Sequence, residues 1–377
     1  MKNVLISGGA GFIGSHLGLS LTRNGYSVTV LDNLSRQIHG SDPENSYLYK
    51  SIKDNVTFIK GDVRNRNDWE RSLAGQDAVI HMAAETGTGQ SMYRVFDYSD
   101  VNIGGTALLL DILTKNRKGV RKLILSSSRA VYGEGRYLCF THGEVYPAAR
   151  TEDDLKNGFF DCRCPVCRRQ VELLPTHEDS KANATSVYGI TKYVQEQLFL
   201  VTAKAMHIPA VIYRYQNVYG PGQSLSNPYC GIFSIFSTQI KNGNALNVFE
   251  DGQESRDFIF IKDTVNATIL GLEDEKADYQ VYNVGTGVPV NVLDIARKLT
   301  RLYRSKVPIN ISGNYRVGDI RHNYADITKI RKDLGFTPEN NFEKGIAEFV
   351  KWVDHQELKE DRYPDSIKEL KENGLIR

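Results

Sequence analysis

The sequence has no long hydrophobic run, no marked excess of charge and no export signal. No apolar stretch approaches the roughly 18 residues that cross a lipid bilayer, so we expect no membrane partner. The 47 basic and 45 acidic side chains leave a net charge of +2, which is too balanced to attract nucleic acid by bulk charge. The first residues hold a short apolar run and then glycines, without the longer apolar segment of a signal peptide. We therefore expect a cytoplasmic protein whose cysteines stay reduced.

What the sequence does contain is an alternation of short apolar strands and helical patterns. The predicted elements are strands at 2–7, 27–32, 56–62, 77–83, 122–127 and 210–214, with helices near 101–116 and 187–206. This alternation predicts an α/β fold, a Rossmann-like doubly wound parallel sheet with helices on both faces. The predicted domains are a sheet domain at 1–133 and 179–224, a Cys-rich insertion at 134–178, and a smaller lobe at 225–377 from which part of 257–275 returns to the sheet domain.

A glycine-rich turn follows the first predicted strand. Gly8, Gly11 and Gly14 form G-x-x-G-x-x-G before an amphipathic helix, and glycine there lets a pyrophosphate approach the helix N-terminus. Asp32 closes the second strand, where a carboxylate would hold the adenosine ribose hydroxyls and repel a 2′-phosphate. The combination predicts a site for NAD, although the nearby Arg36 keeps NADP open. The alternative is a tight turn that binds nothing.

Two side chains at helical spacing form a candidate catalytic pair. Tyr188 and Lys192 lie at i and i+4, so both project from one face of a helix. A neighbouring ammonium group can lower the pKa of a phenol toward neutrality, which suits proton transfer. Tyr49 and Lys53 have the same spacing, but no strand end places a partner beside them, and we interpret them as a chance match. Ser128 ends a serine triplet after a strand and could hydrogen-bond the reacting oxygen.

Seven motifs resemble those of one enzyme family in order and spacing. They are SGGAGFIG, GDV, HMAA, SSSRAVYG, YGITK, RYQNVYGPG and DGQESRDFIFIKD. Outside 134–178 the chain resembles the extended short-chain dehydrogenase/reductases. Within that family it is most similar to NAD-dependent nucleotide-sugar epimerases of the dTDP-L-rhamnose and UDP-hexose 4-epimerase types. The resemblance implies that Tyr188 is the general acid/base, assisted by Ser128 and Lys192, and that the lobe at 225–377 binds a nucleotide-diphosphate sugar.

The resemblance also implies residues for each ligand. Cofactor-binding residues are Gly8, Gly11, Phe12, Ile13, Gly14, Asp32, Asp62, Val63, Ala83, Ala84, Asn102, Tyr188 and Lys192. Substrate-binding residues are Ser128, Arg129, Asn217, Arg256 and Arg321. The implied substrate is a dTDP- or UDP-hexose, and the implied assembly is a homodimer formed through the helices near 101–116 and 187–206. For Arg256 or Arg321 taken alone, a surface salt bridge is the better interpretation, and Asp62 alone fits a strand-end turn equally well.

The residues after Ser128 distinguish among the reactions of this family. Family dehydratases carry Asp-Glu directly after the catalytic hydroxyl, and decarboxylases usually carry Glu at one of those places. This chain has Arg129 and Ala130 instead. The resemblance then implies an epimerase, an isomerase that oxidises the sugar at C4 to a 4-keto intermediate and returns the hydride to the opposite face. The alternative is an NAD(P)H-dependent reductase of nucleotide 4-ketosugars that uses the same residues.

Four of the five cysteines lie in the insertion. The candidate metal ligands are the pairs Cys139-x-x-His142 and Cys164-x-x-Cys167. Three thiolates and one imidazole suit tetrahedral zinc, although Cys162 could replace a ligand and unliganded thiols are the alternative. Eight acidic and six basic side chains between 134 and 178 give a net charge of −2, which disfavours nucleic acid. We expect a structural zinc that stiffens a lid over the sugar site, and we expect Cys230 to be a small buried hydrophobic residue.

Overall fold

The computed structural model describes residues 1–117, 119–229 and 231–377. Cys230, which we expected to be buried, lies outside the described residues. Within these three ranges, no helix is both long enough and apolar enough to cross a membrane.

The N-terminal part of the chain alternates strands with helices. Its strands are β1 (Asn3–Ser7), β2 (Ser27–Asp32), β3 (Thr57–Lys60), β4 (Ala78–His81) and β5 (Lys122–Ser128). Its helices are α1 (Phe12–Arg23), α2 (Arg36–His39), α3 (Tyr47–Ile52), α4 (Arg66–Leu73), α5 (Thr88–Ser91), α6 (Val95–Tyr98) and α7 (Gly105–Lys115), with a 3₁₀ turn at Pro43–Asn45 and a π-helical turn at Ser99–Gly104. Helix α1 ends because Gly25 adopts a positive φ of 84°, which glycine tolerates best.

The insertion folds into a small unit of its own. Its elements are β6 (Tyr137–Cys139), β7 (Gly143–Val145), α8 (Glu152–Lys156) and β8 (Glu172–Leu173), after a 3₁₀ turn at Arg129–Tyr132. Strand β6 lies between β7 and β8 and pairs antiparallel with both. Tyr137, Cys139, Val145, Cys162 and Cys164 form its buried core. Because so few apolar residues are buried there, the insertion needs a further stabilising element.

The remaining chain completes the main sheet and builds a second lobe. Its strands are β9 (Ala210–Tyr215), β10 (Asn217–Tyr219), β11 (Leu246–Val248), β12 (Ser255–Phe260), β13 (Val281–Val284), β14 (Pro289–Asn291), β15 (Ile309–Ile311) and β16 (His322–Asn323). Its helices are α9 (Val187–Met206), α10 (Ile232–Lys241), α11 (Ile261–Glu273), α12 (Val292–Leu302), α13 (Thr328–Leu334), α14 (Phe342–Asp354) and α15 (Tyr363–Glu372), with a 3₁₀ turn at Glu275–Ala277. Strands β10, β12, β14 and β16 form one small sheet, and β11 pairs with β15.

Seven parallel strands form the main sheet in the order β3-β2-β1-β4-β5-β9-β13. Side chains alternate between its faces, so Val4 and Ile6 belong to one hydrophobic core and Leu5 to the other. The predicted Rossmann-like fold is therefore confirmed. Strand β13 falls in the stretch that the sequence assigned to the second lobe, yet it pairs with β9. Strand order reverses beside β1, and ligands of such sheets bind at the carboxyl ends of the strands there.

Candidate active site at the carboxyl ends of the strands

A cavity of about 470 Å³ opens where the strands of the main sheet end. The predicted site residues that line it are Gly8, Gly11, Phe12, Ile13, Gly14, Asp32, Asp62, Val63, Ala83, Ala84, Ser128, Arg129, Tyr188, Lys192 and Asn217. The structure thus brings the glycine turn, the tyrosine–lysine pair and the serine together around one space. Asn102, Arg256 and Arg321 are not in the lining.

The three glycines of the turn have different structural roles. Gly8 has a φ of +70°, and a Cβ added to it would lie 2.7 Å from the backbone of Ala83. A Cβ on Gly14 would lie 2.4 Å from the carbonyl oxygen of Gly8, so α1 could not pack as closely against the turn. Gly11 precedes α1, and a Cβ there would meet only the Gly8 carbonyl oxygen, at 3.2 Å. The turn therefore leaves the N-terminus of α1 open to the cavity, where an anion is favoured.

Asp32 is held rigidly at the end of β2. Its carboxylate accepts backbone N–H groups from Ala10 at 3.0 Å and Leu34 at 2.8 Å. Burial raises its pKa, and these N–H groups oppose the rise. Ser35 and Gln37 line the cavity, whereas Arg36, which kept NADP open, does not. The geometry therefore favours a ribose with free hydroxyls over one that carries a 2′-phosphate.

Asp62 lies on the same side of the cavity, after β3. Its Oδ1 accepts a hydrogen bond from Nε of Arg64 at 2.9 Å, and Asn33 donates to its Oδ2 at 3.3 Å. The Arg64 side chain lowers the pKa of Asp62 to about 2, against the effect of burial. A carboxylate that stays ionised here can accept hydrogen bonds from a ligand.

The candidate catalytic groups come from β5 and α9. Ser128 ends β5, and its Oγ accepts the Ala130 backbone N–H at 3.2 Å. Tyr188 lies in the first turn of α9, where its backbone N–H donates to Oγ of Ser91 at 3.1 Å. Its ring packs nearly at right angles to that of Tyr98, with centroids 6.4 Å apart. These contacts fix the backbone and the ring of Tyr188 beside the strand end that carries Ser128.

Lys192 lies one turn along α9 from Tyr188. The side chain is buried, and its Nζ donates to the Ser126 carbonyl oxygen at 2.8 Å. Burial lowers the pKa of Lys192 to about 7, although Glu196 opposes the shift. An amine with a pKa this close to neutrality can help a neighbouring group exchange protons.

Sequence reasoning missed the buried ion pair that fixes α9 against the sheet. One edge of the Arg214 guanidinium binds Glu196 through Nε at 2.9 Å and Nη2 at 2.7 Å, and Glu196 also accepts the Ser127 hydroxyl. Arg214 donates further to the Tyr132 hydroxyl at 2.8 Å. The one signal was that Glu196 falls four residues after Lys192, on the helix face that turns inward. This pair sets the position of the helix that carries Tyr188 and Lys192.

Asn102 does not line the cavity but hydrogen-bonds to a residue that does. It is fully buried in the π-helical turn, and its side-chain amide donates to the Glu85 carbonyl oxygen and accepts the Glu85 N–H, at 3.1 Å and 2.8 Å. It also donates to Oγ1 of Thr191 on α9, at 3.0 Å. Asn102 therefore links the loop after β4 to the catalytic helix. Glu85 lines the cavity, and burial raises the pKa of its side chain.

Arg129 and Asn217 form the wall beside Ser128. Nε of Arg129 donates to Oδ1 of Asn217 at 3.2 Å. Burial, together with the positive charge of Arg256, lowers the pKa of Arg129 to about 10. Asp319 and Glu134 oppose this shift in the pKa, and the guanidinium remains charged at neutral pH.

Arg256 and Arg321 lie behind that wall in a buried ionic network. Arg256 donates to three backbone carbonyl groups and to Oδ1 of Asp319, the last at 3.0 Å. The guanidinium of Arg321 binds Asp251 through two nitrogens, at 2.7 Å and 2.8 Å, and Glu250 at 2.9 Å. Both arginines are largely buried, so a surface salt bridge does not describe them either.

The insertion joins this network. Asp161 accepts Nε of Arg321 at 2.9 Å, and Arg150 lies between Glu134 and Glu250, at 3.3 Å and 2.8 Å. No described residue between 134 and 178 lines the cavity, so the expected lid over the sugar site is wrong. The insertion instead packs its charged side chains against the second lobe.

The four predicted metal ligands lie together in the insertion. Their Sγ and Nδ1 atoms all fall within 4.8 Å of one another. Sγ of Cys139 is 3.5 Å from Nδ1 of His142 and 3.7 Å from Sγ of Cys167, and Sγ of Cys164 is 3.5 Å from the same Nδ1. Cys162 is a free thiol outside this group. The donor set and spacing match what a tetrahedral metal ion requires.

Comparison with known proteins identifies relatives over nearly the whole chain. Residues 4–152 and 166–285 match the family described as the NAD dependent epimerase/dehydratase family. The chain is 35% identical to the dTDP-L-rhamnose 4-epimerase of Burkholderia thailandensis over 355 residues, which cover 93% of this chain and 95% of that protein.

Two solved structures share the fold. One is the UDP-glucose 4-epimerase of Thermotoga maritima with UDP-glucose, at a TM-score of 0.75 and 29% identity over 94% of this chain and 99% of that one. The other is a mutant UDP-glucuronic acid 4-epimerase of Bacillus cereus in complex with UDP-4-deoxy-4-fluoro-glucuronic acid and NAD. Its TM-score is 0.76 and its identity 26%, over the same shares of the two chains.

Proposed function

This chain belongs to the NAD dependent epimerase/dehydratase family, and we infer that it is an NAD-dependent nucleotide-sugar 4-epimerase. The predicted resemblance to the nucleotide-sugar epimerases is thereby confirmed. The observation that carries the functional inference is the convergence of Ser128, Tyr188 and Lys192 on one cavity with the glycine turn and Asp32.

The cavity fits NAD at its α1 end. The exposed N-terminus of α1 suits the pyrophosphate, Asp32 suits the adenosine ribose, and Asp62 and Val63 line the adjoining wall. Ala83 and Ala84 continue that wall, while Asn102 supports it from behind. When bound, NAD supplies a hydride acceptor and donor beside the sugar.

We assign the proton transfers to Tyr188. Its phenol group takes the proton of the C4 hydroxyl as the alcohol is oxidised, and it returns a proton when the ketone is reduced. Ser128 donates a hydrogen bond to the C4 oxygen, which carries negative charge during both steps. Lys192 supplies positive charge near Tyr188 and holds its own position through the Ser126 carbonyl group. No other acid or base is needed, because the proton and the hydride each return to the sugar.

The residues next to Ser128 favour epimerisation over elimination or decarboxylation. Ala130 cannot transfer a proton, and Arg129 stays protonated at neutral pH. The substrate that we propose is a dTDP- or UDP-hexose, since the relatives named above act on or bind such sugars. Asn217 and Arg129 form the wall that this sugar would face.

We also propose that the insertion holds a structural zinc ion. At Zn–S distances of about 2.3 Å, two thiolates of a tetrahedral site lie about 3.8 Å apart, and the Cys139–Cys167 separation of 3.7 Å fits this value. Metal analysis of protein purified without a histidine tag should find about one zinc per chain, lost in Cys164→Ser and retained in Cys162→Ser. Zinc far below one per chain, or unchanged in Cys164→Ser, would contradict the proposal.

The assembly that we propose is a homodimer in the cytoplasm. Apolar side chains are exposed on α6 and α9, namely Val95, Phe96, Ile190, Tyr193 and Val201. The two helices contact each other, so their exposed faces can form a continuous surface for a second copy. The four cysteines of the insertion form no disulfide, which suits a reducing compartment. Light scattering coupled to size exclusion should give twice the mass of one chain, and a single-chain mass would contradict the dimer.

Proton NMR of dTDP- and UDP-hexoses incubated with purified protein tests the proposed activity. We expect a C4-inverted sugar to accumulate to equilibrium without added cofactor, because the cofactor ends each cycle as it began. Conversion that appears only with NAD(P)H and a 4-keto sugar would assign the reductase instead.

A further inference from the structure

Three consecutive residues after β15 hold the guanidinium of Arg256, which lies near the start of β12 and which the family resemblance assigns to the substrate. Arg256 donates to Oδ1 of Asp319 at 3.0 Å. It also donates to the carbonyl oxygens of the next two residues, Ile320 at 2.7 Å and Arg321 at 2.9 Å. The orientation of the Arg256 side chain therefore depends on the conformation of residues 319–321.

The insertion binds this same segment. Arg150 donates to the Asp319 carbonyl oxygen at 3.1 Å, and Glu134 accepts the Arg321 backbone N–H at 2.7 Å. Asp161 accepts Nε of Arg321 at 2.9 Å. Two of the three residues that hold Arg256 are thus themselves held by side chains of the insertion.

These contacts from the insertion are themselves restrained. The side chains of Arg150 and Glu134 are 4% and 0% exposed, and Arg150 also pairs with Glu250 at 2.8 Å. Residues 143–163, which include Arg150 and Asp161, lie between the two pairs of candidate metal ligands. A metal ion bound by both pairs would close this loop and limit its movement.

The charges held by 319–321 act on the cavity wall. Arg129 lines the cavity, and the positive charge of Arg256 lowers its pKa while the negative charge of Asp319 raises it. Both charges therefore lie close behind the wall that the sugar nucleotide would face. A planar guanidinium binds paired oxygens only in a defined orientation, so a movement of 319–321 would affect binding at this end of the cavity.

We propose that the Cys-rich insertion is a positioning element for the substrate: by fixing residues 319–321, it holds Asp319 and Arg256 in place behind the cavity wall. The inference rests on the proposed function, because it requires a nucleotide-diphosphate sugar at this end of the cavity. No described residue between 134 and 178 lines the cavity, so the insertion acts on binding only through these contacts. Their loss should weaken binding of the sugar nucleotide and leave NAD, at the α1 end, unaffected.

Calorimetric titration of the NAD-loaded protein with UDP-glucose and dTDP-glucose tests this role, because it measures the affinity per site separately from the number of sites. Arg150→Met removes the hydrogen bond to the Asp319 carbonyl group. We expect its affinity for the sugar nucleotides to fall about tenfold or more, as when a charged group loses a hydrogen bond, with NAD content unchanged. In turnover, KM should rise and kcat should stay near that of the wild type.

Asp161→Asn is a second and milder test. The Asp161 side chain is 55% exposed, and the substitution leaves the candidate metal ligands in place, so the variant should fold. We expect a smaller fall in affinity for the same ligands, because Arg321 keeps its other carboxylate partners. The matched control is Arg168→Gln, since Arg168 belongs to the same insertion and pairs with Asp154 at its surface. The control should bind both sugar nucleotides as the wild type does.

A purely structural role for the insertion predicts a different result. Wild-type affinity in both Arg150→Met and Asp161→Asn, even with fewer sites per chain, would overturn the inference. Equal losses of affinity for NAD and for the sugar nucleotides would also overturn it. Either result leaves the proposed function intact. If the wild-type protein binds neither sugar nucleotide, the proposed function fails, and the inference falls with it.

Discussion

Substitution of Arg150 tests directly whether buried ion pairs hold the insertion against the second lobe. Its side chain is 4% exposed and lies between the carboxylates of Glu134 and Glu250, which are 0% and 2% exposed. It also donates to the Phe160 and Asp319 carbonyl oxygens, at 3.0 Å and 3.1 Å. Arg150→Met would keep most of the side-chain volume and remove the charge. We expect this substitution to destabilise the protein far more than the loss of a surface ion pair does.

The size of the expected loss of stability follows from the partners that each carboxylate would keep. Glu250 retains Arg321, whereas Glu134 retains the Arg321 backbone N–H and the Cys162 thiol but loses the one cation with which it forms a salt bridge among the described residues. Breaking a buried pair in this way costs about 3–5 kcal/mol. For a chain of 377 residues the entropy of unfolding is about 0.8 kcal/mol/K, so Tm should fall by about 4–6 °C.

Thermal unfolding followed by circular dichroism measures this fall. Arg168→Met is the control, because Arg168 belongs to the same insertion but is 56% exposed in its pair with Asp154, and it should change stability by less than about 1 kcal/mol. The double variant Glu134→Gln/Arg150→Met should be more stable than Arg150→Met alone, since it removes the isolated charge. Equal Tm values for Arg150→Met and Arg168→Met would refute the reasoning.

Three further predictions concern the catalytic helix and the glycine turn. Tyr188→Phe should lower kcat about 10²- to 10⁴-fold with NAD content unchanged, and near-wild-type turnover would exclude Tyr188 as the acid/base. The pKa of Lys192 is about 7 in the folded chain and 10.5 when unperturbed. Between pH 7 and 10.5 the unfolded chain therefore binds a proton at Lys192 that the folded chain does not. In this range the free energy of unfolding of the wild type rises with pH. Lys192→Met should therefore raise Tm more at pH 6 than at pH 9.5, and a gain that does not depend on pH would contradict the cause. Gly14→Ala should reduce NAD content and Tm, because its Cβ would lie 2.4 Å from the Gly8 carbonyl oxygen. The control is Gly18→Ala, which should retain both, because the atom nearest its Cβ would be 3.8 Å away.

Local patterns predicted the elements that carry the candidate chemistry. The helix expected at 187–206 is α9 with the same bounds, because its apolar spacing and the N-cap Ser186 are both encoded within the segment. The strand expected at 56–62 is shorter, Thr57–Lys60, and the chain turns soon after it at Val63 and Arg64. The sequence analysis missed strand β13. This strand is four residues long and follows elements of the second lobe, and its residues alone do not show that it pairs with β9.

Contacts between distant segments could not be read from the sequence. Arg150 and Glu250 are 100 residues apart, and Arg321 and Asp161 are 160 residues apart. Neither spacing is periodic, so nothing local distinguishes these charges from solvated ones. For the same reason the expected lid was wrong, because the cysteine pattern specified which side chains could meet but not the surface on which the insertion packs.

The central claim is reversible hydride transfer at C4, and an isotope experiment tests it most directly. A dTDP- or UDP-hexose that carries deuterium at C4 would be incubated with the purified protein in ordinary water without added cofactor. The account predicts a C4-inverted sugar that keeps its deuterium, because the hydride leaves and returns without meeting solvent. Inversion with loss of deuterium to water, or no inversion until NAD(P)H is supplied, would contradict it.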